Sequence, residues 1–61
     1  MLDASDLPTA PGTTIQFVHG GRTRTATLNS QGYWTPDGGK TSFLAKNLII
    51  IYNLTEYTIH E

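Results

Sequence analysis

Sixty-one residues with a formal net charge of −1 and no cysteine make one small domain, with no disulfide framework and no Cys-based zinc site. Four basic residues against five acidic ones give no overall attraction to nucleic acid or to acidic membranes, so any basic recognition has to be local. No stretch approaches the about 18 apolar residues needed to span a bilayer, and Met1 to Pro11 lacks a basic start followed by an apolar core, so the expected location is the cytoplasm.

Residues 1–12 mix Asp3, Asp6, Pro8 and Pro11 with small polar residues and offer no periodic face to bury. They are expected to be a flexible N-terminal tail ahead of a single globular domain at residues 13–61, with an arm that docks through Leu2 and Leu7 as the functional alternative. Thr13 to His19 alternates as a half-buried strand does, with Ile15 and Phe17 on one face. Gly20-Gly21 supplies the positive φ values of a two-residue hairpin, and Arg22 to Asn29 returns as the second strand. That turn sets His19 opposite Arg22, Phe17 opposite Arg24 and Ile15 opposite Ala26. The predicted core face is therefore Ile15, Phe17, Ala26 and Leu28, with His19, Arg22 and Arg24 gathered at the tip, either as solvated hairpin residues whose stems cover the core edge, the preferred reading, or as a cluster with Arg24 against the Phe17 ring.

Asn29 to Tyr33 reads as a three-residue hairpin loop with Gly32 in the left-handed position, which puts Trp34 opposite Leu28 in the core and Tyr33 outside. A loop one residue shorter or longer would exchange them, because side chains alternate faces along a strand. Pro36 ends the ladder, and Asp37-Gly38-Gly39 makes a turn.

Ser42 to Leu54 is the long apolar run on which the other segments have to pack. As a helix, Leu44, Leu48, Ile51 and Tyr52 form the stripe, Ala45 and Ile49 extend it, and Lys46 and Asn53 fall opposite. Ser42 suits the N-cap, Asn53 a left-handed C-terminal position, and Leu54 folds back on the last turn. As a strand, Leu48 to Tyr52 is apolar on both faces and β-branched, but Asn53-Leu54 is a poor hairpin turn, which favours the helix. In the closing segment Leu54 to His60, Tyr57 and Ile59 are expected to face inward. The fold class is α+β: a three-stranded antiparallel β-meander, one helix, and a C-terminal strand on a sheet edge. The rival is an all-β SH3-like small barrel with Leu48 to Tyr52 as its fourth strand.

The string Leu7-Pro8-Thr9-Ala10-Pro11-Gly12-Thr13-Thr14-Ile15, followed by Gly32-Tyr33-Trp34 and a Ser-started apolar segment, resembles small uncharacterised proteins of actinobacterial phages and prophages. In those a Leu-Pro-Thr-x-Pro-Gly-Ser/Thr opening precedes a hairpin, a Gly-x-Trp and a helix. The resemblance implies the same order of elements and no particular activity. Here the helix-like part is rich in isoleucine where those proteins carry acidic residues.

Catalytic chemistry finds no complete motif. Gly38-Gly39-Lys40-Thr41 imitates the end of a phosphate-binding loop, but Trp34 stands where that motif needs its first glycine. Asp37, Glu56, His19 and His60 are poorly placed as proton donors, and no serine lies in a nucleophile elbow. A non-enzymatic protein-interaction module without a cofactor is the expected function, possessing more apolar side chains than one small core buries, with Tyr33, Trp34, Phe43 and Ile50 as the partner surface. The alternative is single-stranded nucleic-acid binding, with Arg22, Arg24 and Lys40 meeting phosphates and Tyr33 or Trp34 stacking a base. A third reading is self-association into a homodimer through an open sheet edge.

Overall fold

The computed structural model describes residues 2–60. Thr14–His19 (β1) and Arg22–Leu28 (β2) form an antiparallel hairpin in the predicted register, with Ile15 opposite Ala26, Phe17 opposite Arg24 and His19 opposite Arg22. Its tight turn is made possible by Gly20 and Gly21 at φ 61° and 75°, where a residue with a Cβ would be strained. Trp34–Pro36 (β3) returns beside β2 with Trp34 opposite Leu28. The loop between them is organised by Asn29, whose Oδ1 accepts from the Gln31 and Tyr33 amides at 2.9 Å each, and by Gly32 at φ 86°.

Thr58–His60 (β4) adds to the other side of β1, giving a four-stranded antiparallel sheet in the order β3-β2-β1-β4. One helix, Ala45–Tyr52 (α1), crosses one face of it. The fold is thus α+β, and Leu48 to Tyr52 is helical, not the fourth strand of a barrel. Asn53 ends α1 in the left-handed region at φ 49°, and the Leu54 amide donates back to the Ile49 carbonyl at 2.9 Å. That is the ending expected from Asn53 and Leu54.

The start of α1 differs from expectation. Ser42 does not cap the helix; its hydroxyl bonds the Thr35 hydroxyl at 3.1 Å, and Leu44 is the N-cap residue. Phe43 is drawn instead into an antiparallel bridge with Trp34, exchanging two backbone hydrogen bonds of 2.7 and 2.8 Å. Pairing of the β3 edge therefore takes the residues that would have made the first helical turn.

The core consists of Leu7, Ile15, Phe17, Ala26, Leu28, Trp34, Leu48, Ile49 and Leu54. Leu7 corrects the reading of residues 1–12 as a free tail. A short 3-10 turn at Ala4–Asp6 lies against α1, with the Asp3 amide donating to Asp6 Oδ2 at 2.8 Å. The Tyr57 hydroxyl then ties this turn to the far end of the chain by donating to the Asp6 carbonyl at 2.6 Å. Ile59 corrects a second expectation. It lies opposite Ile15, on the core side, yet remains 51% exposed because β4 is the outermost strand.

Candidate interaction site

Helix α1 carries an apolar arc wider than the part that meets the sheet, and one further isoleucine, Ile50, outside that arc. Leu48 and Ile49 are buried, and Ala45 and Tyr52 are half-buried beside them. At about 100° per residue these four positions share one side of the helix. Ile50 projects from the other side and is 67% exposed, with Ile51 at 48% and Leu44 at 46% along one flank. Lys46 and Asn47 are the exposed polar residues of this face. The buried stripe is thus rotated from the one expected: Ile51 and Leu44 leave it, and Tyr52 and Ala45 lie at its middle between Leu48 and Ile49. Physically, the half-buried Tyr52 decides the rotation, because its ring is held over the hairpin tip.

Tyr52 packs on Phe17 with ring centroids 5.4 Å apart and meets the His19 ring edge-on at 5.0 Å. His19 Nδ1 lies 3.1 Å from the Tyr52 carbonyl, and because a carbonyl only accepts, that nitrogen carries the proton and donates. The bond satisfies a carbonyl that the helix end leaves open and pins α1 to the hairpin. Arg24 is the third member of the cluster. Its Nη1 donates to Asp37 Oδ2 at 2.9 Å, and its guanidinium carbon is 6.0 Å from the centroid of the Tyr52 ring, not over Phe17 as the sequence suggested. The cation is held at the outer limit of a cation–π contact and is already neutralised by a carboxylate.

These contacts separate the residues singled out from the sequence. Trp34 is only 1% exposed and is part of the core, so it cannot stack on a base or meet a partner. Phe43 is half-buried against that core through its bridge to Trp34. Tyr33 is 40% exposed at the loop between β2 and β3, apart in the chain from Ile50 on the helix. Of the basic residues, Arg24 is paired with Asp37, while Arg22 and Lys40 are exposed. Lys40 borders a cleft of about 210 Å³ together with Asp37, Gly39, Thr41 and Tyr52.

A wider groove of about 390 Å³ runs between β1 and the approach to β4, bordered by Gln16, Val18, Thr23, Glu56 and Tyr57. It exists because β4 pairs with β1 only as far as Gln16, leaving the Val18 end of the strand uncovered. Glu56 is the sole ionisable carboxylate or imidazole on its border, so it presents no acid–base pair. Among the described residues no group of three or more His, Cys, Asp or Glu is placed to hold a metal ion, and no helix is long and apolar enough to cross a membrane. The exposure of Leu44, Ile51 and Ile59 is what the sequence reading missed, whereas Val18 lies on the outer face that its alternation with Phe17 assigns to it. For Leu44 and Ile51 the helical period is no guide, because both sit at the flank of the apolar arc.

Compared with protein-family models, curated proteins and solved structures, the chain finds no match.

Proposed function

We propose that this chain is a small non-enzymatic protein-binding module that acts in the cytoplasm, of the kind a phage or prophage uses to occupy a host protein, and that it presents the outer face of α1 to its partner. The observation that carries this reading is the exposure of Ile50. Leu48 and Ile49 already supply the helix's contribution to the core, so Ile50, 67% exposed, adds nothing to folding that a polar residue would not. An isoleucine costs solubility at such a position unless its surface is covered in use. Around the helix Ile50 lies between Lys46 and Asn47, with the exposed Ile51 and Leu44 on the flank beyond Asn47, so that an apolar contact is framed by polar residues as in an interface with a polar rim. The resemblance of the Leu7 to Ile15 string to phage and prophage proteins supports the choice of a host protein as partner.

The test is capture of partners from an actinobacterial lysate by the tagged protein and by its Ile50→Asp variant, with and without nuclease. Ile50→Asp is expected to keep the fold, as judged by Trp34 fluorescence, and to lose a stoichiometric, nuclease-resistant partner. A central interface residue of this kind is worth about 2 kcal/mol or more, a loss of at least about 30-fold in affinity. Retention of the partner by folded Ile50→Asp would overturn the assignment of this face. Capture that disappears with nuclease would overturn the protein-binding reading itself.

A further inference from the structure

The two edges of the sheet are not equivalent. At the β3 edge, Trp34 gives both its amide and its carbonyl to Phe43, and Pro36 has no amide to offer. That edge is closed by the chain itself. At the β4 edge Thr58, Ile59 and His60 are all exposed, and β4 is the last strand in the sheet order.

The register states which backbone groups of β4 are free. The Leu28 amide donates to the Thr13 carbonyl at 2.9 Å, so Thr13 and, by alternation, Ile15 and Phe17 direct their backbone groups toward β2. Thr14 and Gln16 therefore direct theirs toward β4, where they meet His60 and Thr58. Ile59, opposite Ile15, is left with its amide and carbonyl pointing away from the sheet. The side chain at that position is apolar and 51% exposed, and residues 54–60 contain no proline, lysine or arginine to blunt the edge.

We propose that β4 pairs antiparallel with β4 of a second copy of this chain, about a two-fold axis at Ile59. The register is self-complementary. Ile59 exchanges two hydrogen bonds with its counterpart, the two isoleucine side chains lie side by side on the helix-bearing face, and Thr58 faces His60 across the axis on the other. No like charges meet among these three residues. The His60 side chain is already turned to its own β1, with Nδ1 3.1 Å from Gln16 Oε1, and does not obstruct the approach. Because such a two-fold axis is perpendicular to the sheet, the eight-stranded product carries both copies of α1 on one face. It would offer a partner two Ile50 surfaces at once, so the pairing adds valency to the binding face without depending on it.

Three residues of strand bury less than the about 1,200 Å² of a standard stable interface, so the association belongs at the weak end, on the order of 100 µM. The test is sedimentation equilibrium of the whole chain from about 10 µM to about 1 mM, with amide exchange at Ile59 followed by NMR over the same range. The mass is expected to rise from 6.7 kDa toward twice that value while exchange at Ile59 slows. The decisive variant is Ile59→Pro. It removes the outward amide but none of the bonds to β1, which come from Thr58 and His60, and is expected to weaken dimerisation by about tenfold or more while Trp34 stays buried. If Ile59→Pro fails to fold, Ile59→Lys places a charge at the same edge and takes over as the decisive variant. Ile50→Asp leaves the dimer intact. A mass that stays at 6.7 kDa throughout, or dimerisation unchanged in the folded edge variant, would overturn the proposal.

Discussion

Replacing Leu7 with alanine separates the packed N-terminal segment of the structure from the free arm that its composition suggests. Leu7 is 3% exposed and belongs to the same core as Leu48, Ile49 and Leu54. Leu→Ala at a buried site costs about 2–5 kcal/mol, through lost transfer energy and the cavity left behind. Here the lower part of that range applies, about 2–3 kcal/mol, because the short turn at Ala4–Asp6 can settle into part of the space. A domain is stable by about 0.05–0.15 kcal/mol per residue, which over 61 residues is about 3–9 kcal/mol, so Leu7→Ala removes a large fraction of the total. Urea unfolding reads this directly, since the sole tryptophan, Trp34, is 1% exposed and reports core disruption. With a slope of about 1 kcal/mol per molar urea, the midpoint should fall by about 2–3 M. Thr9→Ala, at an exposed position of the same segment, should leave it unchanged. A loss below about 0.5 kcal/mol for Leu7→Ala would refute the packed arrangement and return Leu2 and Leu7 to the candidates for partner contact.

The hairpin turn and the ion pair at its tip give two further tests. Gly20→Asn should change stability by less than about 0.5 kcal/mol, because asparagine tolerates the left-handed region, whereas Gly20→Val should cost about 1–2 kcal/mol; equal effects would contradict the positive φ. A double-mutant cycle on Arg24 and Asp37, whose side chains are 34% and 45% exposed, should give a coupling of about 0.2–1 kcal/mol that shrinks with added salt. A salt-insensitive coupling above about 2 kcal/mol would mean that the pair is sequestered from water in a way its exposure does not indicate.

Local signals in this chain were legible where each residue's backbone demand pointed one way. Gly20-Gly21 and Gly32 mark turns whose lengths set the register of three strands, and through it the inward course of Ile15, Phe17, Ala26, Leu28 and Trp34. Asn53 and Leu54 mark the end of the helix for the same reason. On α1 the side carrying Lys46 and Ile50 was legible, but the exposed flank at Leu44 and Ile51 was not, because Leu48 to Tyr52 contains no polar residue to mark where the core stripe stops. The packing of Tyr52 against Phe17, His19 and Arg24 centres the buried stripe and leaves Leu44 and Ile51 outside.

The remaining decisions belong to contacts between segments distant in sequence. Nothing in Leu7 or its neighbours announces that the segment will be covered, since its burial depends on α1 and on the Tyr57 hydroxyl reaching Asp6. Nor does the alternation of the last strand say which sheet edge it joins; that follows from Phe43 having taken the β3 side. The sequence by itself therefore determined the strands, their turns and the stop of the helix, because these rest on backbone preferences of a few adjacent residues. Tertiary structure alone decided how much of the helix's apolar arc is covered and which edge of the sheet remains open, because both are what is left after non-local packing is complete.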